Sequence, residues 1–302
     1  MSIATEISRL QTAKADIKTA IEAKGVTVPS NATLDTYDDY VSQIQTGGGG
    51  GTNYLEQYAK NGLTGAITSA QLGTNIGANM VDNLFYIQTH ITSVDLTGTG
   101  ATKIGNFFCR SCLNLTSVTV PNTVTQIGSY FCADTKINSF TVPNTVTKID
   151  TYFLKETKVT SMTIPSTVTS LGNDCFNSCS GLVQVTYNAP TADLPQAFCT
   201  STNSLALVDL NSSVSNIKSY CMSRGSASTN LLEVVLRKTD DIVTLPNAIG
   251  ATGYNAAFRN RQNIKLYVPS ALIASYQADS NWAAGITAGY LTIVALEGSQ
   301  YE

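Results

Sequence analysis

The strongest constraint on the fold is a segment that repeats every 22 residues. Successive copies begin at Ser117, Ser139 and Ser161, and read SVTVPNTVTQIGSYFCADT, SFTVPNTVTKIDTYFLKET and SMTIPSTVTSLGNDCFNSC. A fixed period of about 20–29 residues is the signature of a solenoid, in which one coil is too small to bury its own apolar face. The sequence therefore predicts coils that stack on one another, so that matching residues form continuous rows.

Alternation within each copy predicts a strand with one face inward and one outward, and stacking makes these strands a parallel sheet. Two apolar rows are expected to point inward: Val118, Phe140, Met162, Val185, Val208 and Val234, and beside them Val120, Val142, Ile164, Tyr187, Leu210 and Leu236. One row is expected to point outward, and we call it the hydroxyl face: Thr119, Thr141, Thr163, Thr186 and Asp209.

The second half of each coil carries two further rows. The phenylalanine row is predicted to contain Phe108, Phe131, Phe153, Cys175, Phe198 and Tyr220, and the cysteine row Cys109, Cys132, Leu154, Phe176, Cys199 and Cys221. A position that accepts Cys, Leu or Phe is an apolar core position, so buried free thiols are expected. Disulfides between adjacent coils, Cys109 to Cys132 or Cys199 to Cys221, are the alternative, because a spacing of about 4.8 Å suits a disulfide.

Catalytic, metal and cofactor sites are not predicted. Cys109 with Cys112 and Cys175 with Cys179 have the spacing of zinc-ligand pairs, but the two pairs lie three coils apart, about 14 Å at the spacing of strands, which is too far for one ion. The single histidine, His90, has no arrangement of nucleophile and carboxylate around it. Charged residues make up only 13% of the chain and the net charge is −3, which argues against nucleic-acid binding and membrane attachment.

The unit Val-x-Val-Pro-x-x-Val-x-x-Ile-x-x-x-Phe resembles the BspA-type leucine-rich repeat. The resemblance covers roughly residues 75–296, and the segment Leu266–Pro269 followed by Tyr276 and Trp282 is similar to the cap that ends such arrays. It implies an α/β solenoid with a parallel sheet, preceded here by a small N-terminal helical module. It also implies one possible role, that of a bacterial cell-surface adhesin.

Residues 1–46 form that module. A heptad pattern predicts one helix, with Lys14 filling a missing apolar place, and Leu34, Tyr37, Val41 and Ile44 predict a second. Short helices cannot bury an apolar stripe alone, so self-association or docking to a partner is expected, with an intramolecular hairpin as the alternative. Isoleucine at both core positions favours three or four strands over two, and a homotrimer is expected. The seam that would carry association or anchoring consists of Ile3, Ile7, Leu10, Ile17 and Ile21.

Five consecutive glycines, Gly47–Gly51, predict a flexible linker rather than a phosphate-binding loop, because the Lys-Ser/Thr of such a loop is missing. The predicted organisation is a helical module at 1–46, a linker at 47–52, a solenoid with caps at 53–296 and a tail at 297–302. No segment is apolar over the roughly 18 residues of a membrane span. The N-terminus also lacks the basic stretch and apolar core of a signal peptide.

The N-terminal module, with its ISRLQTAKADIK, GVTVP and LDTY stretches, resembles the leader of tail and fibre proteins in phages of gut bacteria. This resemblance implies a virion anchor that binds a capsid or tail protein through residues 1–46. The expected location is then the virion, assembled in the host cytoplasm and later extracellular. The chain would be a homotrimeric fibre or decoration protein, and the cell-surface adhesin is the alternative.

Ligand binding is expected on the solenoid. The hydroxyl face can hydrogen-bond a bacterial surface protein or a glycan, although threonine also simply suits a half-exposed strand. A second patch is predicted in the longer insertion before the last strands, because insertions in solenoids often carry binding. Its residues are Tyr254, Phe258, Arg259 and Arg261.

Overall fold

A computed structural model describes residues 3–22, 28, 65–68, 72, 79–227, 229–250 and 256–302, with side chains in the first segment from residue 11 onward. The chain divides into two compact units, residues 1–57 and residues 58–302. The predicted second helix, the glycine linker and Tyr254 lie outside the described residues.

The first unit contains helix α1, Ile3–Glu22. Of the predicted seam, Ile3, Ile7 and Leu10 belong to this helix, Ile17 is 43% exposed and Ile21 is buried. Lys18 forms an ion pair with Glu22 one turn later, at 3.0 Å, and its ammonium group also donates to the carbonyl of Val28.

The second unit is the predicted solenoid, built from fifteen described strands and a helical cap. The strands are β1 Gly65–Ile67, β2 Ile91–Asp95, β3 Lys103–Ile104, β4 Ser117–Thr119, β5 Gln126–Ile127, β6 Lys148–Ile149, β7 Ser161–Ile164, β8 Ser170–Leu171, β9 Gln184–Tyr187, β10 Asp193–Leu194, β11 Leu207–Leu210, β12 Asn216–Ile217, β13 Leu232–Leu236, β14 Ile264–Val268 and β15 Leu291–Ala295. A 3₁₀ turn, Ser270–Leu272, and helices α2, Ile273–Ala278, and α3, Ser280–Thr287, precede the last strand.

Two parallel ladders run along the solenoid. The first ladder contains the sheets β1-β2-β4 and β7-β9-β11-β13-β14-β15, and its register pairs matching positions of successive coils, such as Thr163 with Thr186 and Thr186 with Asp209. The second ladder is built from two-residue strands, β3-β5-β6-β8 and β10-β12. The α/β solenoid with a parallel sheet that the repeat predicts is confirmed.

The first ladder is not continuous, in contrast to the single sheet that the alternation predicts. Residues 139–142 form no strand between β4 and β7. Phe140 places a ring where the neighbouring coils have Val118 and Met162, and this ring packs edge-on against Phe131 and Phe153, with centroids 5.5 Å from each. The interruption thus coincides with the largest side chain in its row.

The core consists of the predicted inward rows. Val118, Met162 and Val185 are buried, as are their row neighbours, whereas Val120 is half-buried. Aromatic rings of the phenylalanine row stack directly on the next coil: the centroids of Phe108 and Phe131 are 5.7 Å apart. Stacked rings and aliphatic rows form one apolar spine that each coil shares with its neighbours.

The turns of each coil use left-handed backbone conformations without glycine. All fourteen non-glycine residues with positive φ in the described part of the chain fall into two rows. The first contains Asn83, Phe107, Tyr130, Tyr152, Asp174, Ala197 and Tyr220, and the second Ile87, Ser111, Asp134, Glu156, Ser178, Ser201 and Asn260. Such a conformation costs about 1–2 kcal/mol per residue. The N–H groups of twelve of these residues donate to carbonyls of the next coil, for example Tyr130 to Thr151 at 3.0 Å, and these bonds hold the turns in place.

These hydrogen bonds also correct the predicted register of one coil. Each N–H of the cysteine row donates to the carbonyl of the residue that precedes the next member of the row; Cys109, for example, donates to Phe131, which precedes Cys132. The N–H of Cys199 donates to the carbonyl of Cys221, so the next member of the row is Met222 and not Cys221. Cys221 continues the phenylalanine row instead, after Phe198. Tyr220 belongs to the left-handed row that precedes it, which its φ of 59° confirms.

The C-terminal cap closes the spine with three aromatic side chains. Tyr276 of α2 and Trp282 of α3 pack edge to face with centroids 5.5 Å apart, and Trp282 lies 5.9 Å from Phe258. Asp279 separates the two helices, and its carboxylate accepts the N–H groups of Asn281 and Trp282, which is the usual cap of a helix N-terminus.

Candidate ligand-binding face

The hydroxyl face lies on the outer side of the first ladder. Thr119, Thr141 and Thr163 are exposed, and Thr186 is half-buried. A second polar row runs beside them, with exposed side chains at Ser117, Ser139, Ser161 and Gln184. The coils therefore repeat uncharged donors and acceptors along the solenoid axis at the spacing of strands, about 4.8 Å.

Asp209 ends this face in an ion pair that the sequence analysis did not predict. Arg237 donates from Nε to Oδ1 at 2.8 Å and from its second terminal nitrogen to Oδ2 at 3.0 Å. The hydrogen bond to Asp209 raises the pKa of Arg237 above its usual value. Because both carboxylate oxygens are engaged, Asp209 meets a ligand as half of a neutral pair and not as a lone charge.

Beyond Asp209 the outer side of the sheet is covered. Glu233 accepts the hydroxyl of Tyr267 at 2.7 Å and that of Tyr301 at 2.6 Å, and the two rings meet edge to face. Val235, which follows Asp209 in register, is fully buried. The residues predicted as a tail, 297–302, thus bring Tyr301 onto the sheet, and the open hydroxyl face ends there.

The second predicted patch is not one surface. Phe258 is 1% exposed and continues the cysteine row after Met222, so the structure places it in the core and not where a ligand could reach it. Arg261 is equally buried. Its guanidinium donates to the carbonyls of Met222, Leu205 and Thr202, so Arg261 stabilises the core. Burial lowers the pKa of Arg261 to about 10. Arg259 is half-buried, and Tyr254 lies outside the described residues.

An aromatic and cationic corner was missed by the sequence analysis. The rings of Phe107 and Tyr130 stack with centroids 5.0 Å apart, and those of Tyr130 and Tyr152 with centroids 4.4 Å apart. The Arg110 guanidinium lies 4.5 Å from the centroid of the Tyr130 ring. The negative charge of Asp174 raises the pKa of Tyr152. Because the rings cover one another's faces, this corner stabilises the turns rather than offering flat rings to a ligand.

The seven cysteines are all free and buried, as predicted. Cys112 and Cys179 share a third row with Thr135, Thr157 and Thr202, and their thiols donate to the carbonyls of Phe85 and Leu154. Cys109 and Cys112 therefore belong to two different core rows, and both rows have a cysteine in this coil.

Burial raises the pKa of the thiols of Cys175, Cys199 and Cys221, which keeps them protonated and unreactive. Within the described ranges, no three His, Cys, Asp or Glu side chains cluster closely enough to hold a metal ion. His90 is exposed and immediately precedes β2. Among the described helices, none combines the length and the apolar character that crossing a membrane requires.

Residues 102–229 match the family described as BspA type leucine rich repeat region, in six copies. Similar solved structures include a T. pallidum leucine-rich repeat protein, 16% identical, for which the match covers 48% of this chain and 71% of that one, with a TM-score of 0.43. A Bacteroides ovatus leucine-rich repeat protein is 15% identical over 74% of this chain and 56% of its own, with a TM-score of 0.47. A Faecalibacterium prausnitzii leucine-rich cell surface protein is 18% identical over 81% and 82%, with a TM-score of 0.37. Among curated proteins, none matches the sequence.

Proposed function

We propose that this chain is a non-enzymatic binding protein whose hydroxyl face holds a protein or glycan of a bacterial surface. The observation that carries the proposal is the exposure of Thr119, Thr141 and Thr163 on successive coils. A row of repeated hydroxyl groups offers many weak hydrogen bonds to an extended ligand, and it suits recognition better than chemistry on a single bond.

The proposal extends to how the binding face is displayed. Residues 1–46 attach the chain, as a homotrimer, to a capsid or tail protein of a virion, so that the solenoid acts as a fibre or decoration. Two features support this placement, the heptad pattern at Ile3, Ile7, Leu10, Ile17 and Ile21 and the resemblance of the module to phage leaders.

A bacterial cell-surface adhesin is the second candidate. It is favoured by the match of residues 102–229 to BspA-type repeats, because resemblance to that family implies adhesion at the cell surface. The two candidates share the binding face and differ only in what holds the chain.

The binding face is tested with the labelled full-length chain and intact cells of the bacterium that hosts or carries the gene. Replacing Thr141 and Thr163 with Arg places two charged side chains on the hydroxyl face and should abolish cell binding in flow cytometry. The matched control replaces Thr125 and Thr147 with Arg, since these exposed threonines lie on the second ladder. If the face variant binds as well as the control, the proposed face is refuted.

Display is tested separately. In a density gradient, the virion role predicts that the chain co-sediments with phage particles and that a variant without residues 1–46 does not. Recovery in the bacterial envelope instead supports the adhesin. Light scattering of the full chain should give about three times the 32.0 kDa of one copy, and a monomer would remove the trimer.

A further inference from the structure

A groove with a volume of about 500 Å³ opens along the second ladder, and its lining comes from β8, from β10 and from the residues that follow β12. The ladder is continuous from β3 to β8 and resumes only with β10 and β12. The polar residues that line the groove include Ser170, Asn173, Thr191, Gln196, Lys218 and Ser219. A volume of about 300–1,000 Å³ is typical of sites for small molecules.

A proline removes one hydrogen bond at this break. In the coil before it, the N–H of Gly172 donates to the carbonyl of Ile149 at 2.9 Å, and in the coil after it, that of Lys218 donates to Leu194 at 3.2 Å. Pro195 occupies the matching position of the intervening coil and has no N–H to donate. The corresponding bond to the carbonyl of Leu171 therefore cannot form.

The same coil departs from the repeat at a second position. Thr191 takes the place of a valine that is fully buried in the coils on either side, Val168 and Val214. Its hydroxyl donates to the carbonyl of Asp193 at 3.2 Å and lies 2.5 Å from the hydroxyl of Tyr187. Tyr187 is itself fully buried, in a row that is otherwise aliphatic.

Burial raises the pKa of Tyr187 to about 12. A buried hydroxyl in an apolar spine needs a hydrogen-bond partner, and Thr191 supplies one to Tyr187; such departures from local consistency concentrate at functional sites.

The chemistry of the groove selects one class of ligand. Its hydroxyl and amide groups can both donate and accept hydrogen bonds, while Leu171, Pro195 and Pro246 supply apolar surface. Lys218, the basic side chain in the lining, is paired with Asp193 at 3.1 Å, so the groove is neutral. An extended peptide would pair its backbone with the backbone of the groove wall, and Pro195 has no N–H for such pairing. We propose that this groove binds a neutral oligosaccharide, whose hydroxyl groups and C–H faces match this mixture.

This site lies on the second ladder and goes beyond the proposed function of the hydroxyl face. The test uses three neutral trisaccharides, maltotriose, mannotriose and chitotriose, each titrated into the full chain by calorimetry. We expect at least one to bind with one site per chain. A double variant that repairs the repeat, Pro195→Gly with Thr191→Val, should restore the missing rung, close the groove and weaken binding by about tenfold or more.

The matched control makes the same kinds of substitution two or more coils away, Pro121→Gly with Thr125→Val, and should bind as the wild type does. A second variant, Ser170→Trp, fills the groove without touching its backbone and should also abolish binding, which keeps the test valid if the repaired chain misfolds. The hydroxyl-face variant with Arg at Thr141 and Thr163 should bind trisaccharide normally, so the two proposals fail independently. Absence of binding by all three sugars, unchanged affinity after repair, or binding of inorganic phosphate or a tetrapeptide in their place would overturn the assignment.

Discussion

The C-terminal cap contains a buried phenol whose contribution to stability can be measured in two ways. Tyr276 is fully buried, and its hydroxyl oxygen accepts the N–H of Val243 at 2.8 Å. Replacing it with Phe leaves a buried N–H without an acceptor, which costs about 1–3 kcal/mol. Near neutral pH, we therefore expect Tyr276→Phe to lower the free energy of unfolding of the solenoid by this amount.

The same residue makes stability depend on alkaline pH. Burial raises the pKa of Tyr276 to about 12, while an unfolded tyrosine titrates near about 10. The folded state thus favours the neutral phenol, and this stabilisation is fully present below about pH 10 and is lost as pH rises to about 12. Since one pKa unit corresponds to about 1.4 kcal/mol, the wild type loses about 1.4 kcal/mol through this residue by about pH 11. The Phe variant has no such group, so its deficit relative to the wild type should shrink by that amount.

Urea unfolding of both proteins near pH 7 and near pH 11 measures the difference, because all other titrating groups are common to the two chains and cancel. Trp282→Phe is the matched control: the Trp282 indole donates to the carbonyl of the same Val243 at 2.8 Å but does not titrate. Its deficit should be the same at both pH values. If the deficit of Tyr276→Phe is also constant, the phenol is not desolvated and the reasoning is wrong.

Three further predictions concern the spine and the turns. Ile87 is a β-branched residue with φ of 61°, so replacing it with Gly should raise the free energy of unfolding by about 1 kcal/mol, measured in urea. Replacing Val183, another exposed residue, with Gly should not raise the free energy of unfolding. Phe153→Ala should cost about 3–5 kcal/mol in the same assay, because its ring fills the spine between Phe131 and Phe176; a loss below about 1 kcal/mol would contradict the stacking. In native buffer none of the seven thiols should react with Ellman's reagent, and all should react in urea; rapid native labelling would show that they are not buried.

The fold could be predicted from the sequence because the repeat is strict where it matters. Val124, Val146 and Val168 keep the same spacing and are all fully buried, and stacking follows from spacing alone. Register was lost in two places: Met222 follows Cys199 in the cysteine row one residue later than the 22-residue period predicts, and the longer insertion before Phe258 hides the fact that Phe258 continues the same row. For this reason the sequence analysis predicted Phe258 in a surface patch, whereas the structure places it in the core.

The candidate site was predicted less completely, because the residues that contact one another there are far apart in the sequence. Asp209 was expected on the outer face, where it lies, but its partner Arg237 comes from the next coil, after a variable segment. Tyr301 reaches Glu233 from the last residues of the chain, where no repeat predicts a contact. Contacts within a coil follow from the period, whereas those that link an irregular segment to a regular one do not.

Departures from the repeat have different consequences according to what they change. Exchanging Cys for Leu, Phe or Met in the cysteine row keeps the position apolar, and the stack continues through it. Phe140 places a larger side chain in its row, and the first ladder is interrupted beside it. Pro195 removes a backbone donor, and the second ladder is interrupted beside it. Backbone hydrogen bonds between coils require one geometry, whereas several apolar side chains can fill the same core position. Ladder breaks are therefore where a solenoid of this kind can open a groove without unfolding, and the groove beside Pro195 has a neutral polar lining.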